Sequence, residues 1–409
     1  MVYRNVIIIM KISRFFGLSP FWNSKSDSVF PLCVLQMFYV TLLVLLFAYL
    51  CYMNNFLQTV MAVFPWQKKI RRLSTIFEFF SVTVIVLSSW LCCFIFSRKM
   101  LIFVDAFSRV EKLFLLMGVE KFNHKYSFSQ APQMVLVICV VSLHYFLEYL
   151  ENGHKPEHFL IVSLYIIFIY QFVNVMLGMR AYFCCINNYL CQIYHSRSLY
   201  KLQDREFITR NQYMRIYTIW KAAKFQNKLF PENLDHTSTN PNLNVAQVMK
   251  EIHRYLSELC TEINSYYATQ LLLCFLLKLL SITLSLYYLS SFKVQDLHLT
   301  LEGLARLYPV INKGFVFASN LLQLVLIVFA CVKTTEEASF TGILVHGLLN
   351  SDLQPRMRKE LMIFSQQILH QKITFTAAGF FVIDFTLINN VIGAVTTYLV
   401  ILIQFQLST

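Results

Sequence analysis

Thr397-Tyr398-Leu399-Val400-Ile401-Leu402-Ile403-Gln404-Phe405 closes the last hydrophobic run of this chain, with a polar residue near each end of an apolar stretch. Lipid gives no reward to a threonine, a tyrosine or a glutamine at such depth, so their polar atoms point to a cavity, a partner helix or a pore. Residues seven apart nearly superimpose on an α-helix. Asn390, Thr397 and Gln404 therefore form one polar stripe, and Tyr398 and Phe405 share the adjacent face. Ile401 lies near the stripe, where an apolar ring can close a pore by dewetting. Hydrogen bonding between packed helices explains the same stripe equally well from physics alone.

Working outward, hydrophobic residues make up 57% of the 409 and charged residues 14%, against about 25% charged in a soluble domain. The chain is expected to be an all-α, polytopic membrane protein. Apolar runs long enough to cross a bilayer fall at 30–51, 73–96, 132–150, 159–183, 265–291, 314–332 and 386–405, which makes seven. The run Val6 to Met10, between Arg4 and Lys11, is too short for the core of a signal peptide. With the N-terminus taken as cytoplasmic, 25 of the 35 Lys and Arg residues fall in inside segments and 8 in outside ones. This follows the positive-inside rule and places the C-terminus outside. Lys68, Lys69, Arg71 and Arg72 run against the bias. The net charge of +13 is thus a matter of topology, and no nucleic-acid partner is expected. Most of the 11 cysteines lie inside spans, which argues against a disulfide framework.

The stretch Thr397 to Phe405 also resembles the Thr-Tyr, five apolar residues, Gln-Phe signature in the last helix of insect gustatory receptors. Ala378-Gly379-Phe380-Phe381-Val382-Ile383-Asp384 looks like that family's approach to the helix. The resemblance implies a ligand-gated, non-selective cation channel in the plasma membrane of gustatory neuron dendrites. It also implies a homo- or heterotetramer held in membrane lipid, with Gln404 near the gate and Phe405 packing or constricting beside it. The ligand would be a tastant, with a lean toward bitter or aversive compounds, or a contact pheromone. No cofactor, metal or catalytic centre is implied. A G-protein-coupled receptor is the rival by span number. It is opposed by the lack of Asp-Arg-Tyr after the third span and of Asn-Pro-x-x-Tyr in the last. A co-receptor subunit without its own ligand is a further alternative.

These readings divide the chain into a cytoplasmic N-terminus at 1–29, spans one to four within 30–186 and a cytoplasmic helical loop at 187–264. Spans five and six follow within 265–332, then cytoplasmic helices at 333–385, the pore-lining span at 386–405 and an outer C-terminus at 406–409. In the loop, Tyr213, Ile216, Tyr217 and Trp220 have helical spacing, and Pro231 to Pro241 marks a break. A helix starting at Pro355 should turn Arg356, Arg358, Lys359 and Glu360 away from Leu361, Phe364, Ile368 and Leu369, and lead directly into the final span.

Polar and aromatic residues in the outer halves of spans three to six are the candidate ligand site. His144 and Glu148 are four apart on one face of span three. Span four offers Tyr165, Tyr170 and Gln171, span five Lys278, Tyr287 and Tyr288, and span six Asn320 and Gln323. Aromatic walls with a few polar groups suit a small organic ligand, although interfacial tyrosines and helix-packing amides give the same pattern. Arg180, in the inner half of span four, reads as a snorkelling residue or half of an ion pair. His154, Glu157 and His158 with Glu151 offer metal-ligating types, but such spacing without a framework reads as a solvated loop.

Overall fold

Nearly every apolar run in the chain is long enough to make a helix that satisfies its own backbone, as lipid demands. In the computed structural model the described residues are 2–19, 30–53, 66–96, 106–114, 130–152, 156–198, 241–291, 301–351 and 353–408. They form helices α1 (Val2–Phe15), α2 (Phe30–Met53), α3 (Trp66–Ile95), α4 (Gln130–Asn152) and α5 (Pro156–Ser198). A short unlabelled helix at 106–114 precedes α4. Then come α6 (Pro241–Ser290), α7 (Leu301–Leu349), α8 (Pro355–His370), strands β1 (Thr376–Ala377) and β2 (Phe381–Val382), and α9 (Phe385–Ser408). Each of the seven expected apolar runs coincides with, or lies inside, one of these helices to within a residue. Among the described residues, five stretches are long and apolar enough to cross a membrane: Ile76–Ile95, Phe159–Cys191, Ala246–Ser290, Leu307–Leu349 and Phe385–Phe405. Within α4 the apolar stretch Val137–Leu147 is shorter.

Three helices far outrun a bilayer. At 43, 50 and 49 residues and 1.5 Å per residue, α5, α6 and α7 reach about 65 to 75 Å, against a hydrocarbon core of about 30 Å. The most extensive helix pair is α5 with α7, and α6 packs on α3, α7 and α9. Buried polar groups bind α5 to α7. Asn187 donates from Nδ2 to the Glu337 carbonyl at 2.8 Å, and the Thr341 hydroxyl donates to Asn187 Oδ1 at 2.7 Å. Thr334 donates to the Met176 carbonyl at 3.0 Å. Arg180 Nε lies 3.9 Å from Glu337 Oε1, so the ion-pair reading of Arg180 applies.

The N-terminal segment packs onto this bundle. Ile9 and Met10 are buried, α1 lies against α5, and the Trp90 indole donates to the Phe16 carbonyl at 3.1 Å. Gly17 ends the helix with φ +72°, and a Cβ there would stand 2.9 Å from Leu43 Cδ1 and 3.2 Å from the Trp90 nitrogen. Only glycine meets both demands.

Two features depart from expectation. Between α8 and α9 the chain does not run directly into the last helix but folds into an antiparallel hairpin that pairs Thr376 with Val382 and Ala377 with Phe381. Ala378 and Gly379 have φ of +51° and +78°, and Phe380 N–H donates to the Ala377 carbonyl at 3.0 Å. Two successive left-handed residues are what a primed hairpin turn requires, and only the second is a glycine. Asn264 of α6 clamps the hairpin, accepting from the Thr376 N–H at 2.9 Å. Asp384 then caps α9, accepting from the Thr386 and Leu387 N–H groups at 2.9 and 3.2 Å. The Thr386 hydroxyl and these amides hold its carboxyl below the usual carboxylate range.

The second departure is the face of α8. Met357, Leu361, Phe364 and Ser365 are buried against α6 and α7, whereas Leu369 is 56% exposed. At about 100° per residue, Leu369 and Glu360 both fall near the edges of the packed face. Glu360 consequently does not turn to solvent but takes the Lys250 ammonium at 2.8 Å, which lowers its pKa. The expected helix around Tyr213 to Trp220 lies outside the described residues, as does most of the Pro231 to Pro241 break.

Candidate ligand cleft and last helix

Five helices meet around an open cleft with about 630 Å³ of empty space, open solvent included, between α3, α4, α5, α6 and the first half of α7. Of the ten expected ligand-site residues, five line it: His144, Tyr165, Lys278, Asn320 and Gln323. Lys278, only 2% exposed, is the centre of their hydrogen bonding. Its Nζ donates to Gln323 Oε1 at 2.7 Å and to Asn320 Oδ1 at 3.1 Å, and stands 5.0 Å from the centre of the Tyr165 ring. Asn320 Nδ2 donates to Ser281 Oγ at 3.1 Å, which turns its carbonyl oxygen toward the lysine. The Tyr165 hydroxyl lies 3.5 Å from Cys274 Sγ. The His144 ring stacks on Phe315 at 6.0 Å.

The other five stand elsewhere. Tyr170 and Gln171 are five and six residues beyond Tyr165, which rotates them off the face that carries Val162, Tyr165 and Ile166 to the cleft. Gln171 is buried at 1% exposure and Tyr170 is half-buried. Tyr287 and Tyr288 lie about 10 Å further along α6 than Ser281, past the cleft. Glu148 is in α4, and its side chain is outside the described residues. The same holds for Glu151, His154, Glu157 and His158. Among the described residues, no group of three metal-ligating side chains converges.

The cleft also holds charges that no spacing announced. Glu78 of α3 reaches Lys313 of α7 at 2.8 Å, with side-chain exposures of 12% and 1%, and the Ser285 hydroxyl donates to its other oxygen at 3.5 Å. The pair is 235 residues apart in sequence. Its one legible signal was that Glu78 is the sole acid within 73–96, and a lone carboxylate in an apolar span needs a partner. Ser81, Ser281, Ser319 and Phe315 complete the wall and were likewise unforeseen.

On α9 the expected stripe stays outside the fold of its own chain. Asn390, Thr397 and Gln404 are exposed, as are Tyr398 at 51%, Ile401 at 41% and Phe405 at 70%. Only 11% of the helix's apolar window is buried, compared with 61% for α5. The Thr397 hydroxyl donates to the Gly393 carbonyl one turn back at 3.0 Å, so it does not tie α9 to another helix.

A bundle of this kind, with overlong apolar helices and a terminal helix left bare, is an all-α, multi-pass membrane fold. It resembles the solved structure of the insect olfactory receptor OR5 from Machilis hrabei in complex with eugenol, with a TM-score of 0.61 at 12% identity. That match covers 98% of this chain and 97% of the other. The family described as 7tm chemosensory receptor matches residues 7–409, and the chain belongs to it. Its curated relatives include putative gustatory receptors 28a and 28b of Drosophila melanogaster, each 34% identical, over 174 and 172 residues. Those stretches are 41% and 39% of this chain and 36% and 34% of the relatives, so the chain matches about a third of the length of each. The family is one of receptors, not enzymes.

Proposed function

We propose that this protein is a gustatory receptor that works as a ligand-gated, non-selective cation channel, with seven spans, a cytoplasmic N-terminus and an outer C-terminus. The observation that carries the reading is the last helix. An apolar helix capped by Asp384 and bearing Asn390, Thr397 and Gln404 is exposed along its polar stripe, and its Thr397 hydroxyl bonds only one turn back along the same helix. Copies of the chain arranged around that stripe, as a homo- or heterotetramer, give the polar atoms a water-filled axis and the exposed apolar flanks a protein neighbour. The extensions of α5 to α7 beyond the bilayer, together with α8, supply the cytoplasmic body of each subunit.

The cleft around Lys278 takes a small organic tastant, a role supported by its mixture of aromatic, apolar and polar walls. That the olfactory receptor of the same fold was solved with eugenol supports a small-molecule ligand here. Binding that favours the open arrangement over the closed one shifts a pre-existing equilibrium, and α9 moves off the axis to admit Na⁺ and K⁺. The lean toward bitter or aversive compounds, and the dendrite of a taste neuron as the site of action, rest on the family alone.

Whole-cell current tests the reading directly. In cells expressing this protein with G-protein signalling blocked, a panel of bitter, sweet and lipophilic compounds should evoke a prompt cation current. Gln404→Ala should change the ratio of Na⁺ to K⁺ permeability, or the basal current, at unchanged surface expression. A current whose permeation is indifferent to Gln404 and Thr397 substitutions would remove α9 from the pore.

A further inference from the structure

Among the described residues, Lys278 is a buried side chain whose hydrogen-bond partners are neutral amides. Two of the three N–H donors of its ammonium are used by amide carbonyl oxygens, those of Gln323 at 2.7 Å and Asn320 at 3.1 Å, and the Tyr165 ring covers one side at 5.0 Å. Among the described residues, no carboxylate forms an ion pair with it. The acid on the same cleft, Glu78, is engaged by Lys313 at 2.8 Å and Ser285 at 3.5 Å. Dipoles and a ring face soften the cost of burying an ammonium, but only an opposite charge cancels it. A further neutral acceptor, such as a hydroxyl, adds a hydrogen bond to a group that already has two. An anion adds the countercharge that the site lacks.

The rest of the cleft sets the body of the ligand. Val140, Val162, Ile166, Leu277 and the Phe315 ring line it with apolar surface, while Ser281 and Ser319 add small polar groups. Granting that this cleft is the tastant site, we propose that it is built for organic acids: a carboxylate seated on Lys278 and a compact apolar or aromatic body against α4, α5 and α7.

Matched acid and amide probes separate charge from shape. Equilibrium binding of phenylacetate and of phenylacetamide is measured on the full-length receptor in phosphatidylcholine nanodiscs at neutral pH. Phenylacetate should bind at least about ten-fold more tightly, a difference of about 1.4 kcal/mol. Lys278→Gln and Lys278→Met should each erase that preference, and Lys278→Arg should keep it. Retention of the preference in Lys278→Arg shows that loss in the neutral variants is a loss of charge, not of folding. Equal binding of the two probes, a preference that survives Lys278→Gln, or no binding of phenylacetate at millimolar concentration would each overturn the assignment. Displacement of phenylacetate by anionic phosphatidylglycerol in the disc would give the ammonium to a lipid headgroup and overturn it as well. Ser319→Trp, which fills the cleft, distinguishes the two levels of the argument. If it abolishes binding of both probes while neither is preferred, only the acid specificity fails. If it leaves binding intact, the ligand site lies elsewhere and the tastant reading of this cleft fails with it.

Discussion

Glu78 and Lys313 show how much one contact can be worth when it is withdrawn from water. With Lys313 only 1% exposed, removing Glu78 takes the carboxylate at 2.8 Å from a buried charge, a loss of up to about 3 to 5 kcal/mol, while replacing both charges by apolar groups is often near neutral. Glu78→Gln should therefore lower the thermal unfolding midpoint of the detergent-solubilised receptor markedly. The double variant Glu78→Gln with Lys313→Met should recover most of the loss. Independent, additive losses from the two substitutions would mean that the pair is not coupled in the protein. The residue scale is also where sequence reading was strongest and weakest at once. The seven-residue spacing of Asn390, Thr397 and Gln404 puts them on one face of any helix, whatever the rest of the chain does. The pairing of Glu78 with Lys313 depends on where α3 and α7 dock, which local spacing does not encode.

At the scale of elements, the hairpin before α9 is the part that periodicity missed. Its strands are two residues each, too short for an alternating pattern, and its turn carries the unmarked Ala378 beside Gly379. What holds it is α6: Asn264 bonds Thr376 at the backbone, and Phe381 packs on Phe275 at 5.7 Å. The turn makes an asymmetric prediction. No atom crowds a Cβ built on Gly379, so Gly379→Ala pays only for its φ of +78°, about 1 kcal/mol. Ala378→Gly relieves the same strain at φ +51° but gains freedom in the unfolded chain, so it should be close to neutral. Thermal melts of the two variants should order them accordingly, and equal destabilisation would refute the primed turn. Because the hairpin and the Asp384 cap set the entry of α9, the loss in Gly379→Ala should be accompanied by a changed basal current.

For the whole molecule, the decisive asymmetry is between a well-buried bundle and an outlying last helix. Six large apolar side chains of α9, Phe385, Ile392, Tyr398, Val400, Ile401 and Phe405, are more than 40% exposed. Lipid covers apolar side chains at no cost, but it does not satisfy Asn390, Thr397 or Gln404. If the stripe faces other copies across an axis, Thr397→Cys or Gln404→Cys should form oxidant-induced cross-links between subunits in the membrane. A cysteine at Phe80, exposed on α3, should not. Cross-linking that is equally efficient from both faces would point to random collision instead of a specific assembly. Size-exclusion with light scattering on the same preparation checks the expected four-fold mass.

What the sequence by itself determined is whatever depends on local periodicity and on the intolerance of lipid for bare backbone. That covers the helical class, the positions of the apolar runs, the polar stripe of α9 and the receptor signature from Thr397 to Phe405. Only the tertiary structure decided which of the intramembrane polar residues meet. Lys278, Asn320, Gln323, Tyr165 and His144 converge because α4 to α7 dock at particular rotations, and Tyr170 and Gln171, turned about 140° and 240° from Tyr165, miss the same cleft. The hairpin and the face of α8 were likewise fixed by contacts with α6, since side chains far apart in sequence settle a packing that no single helix specifies.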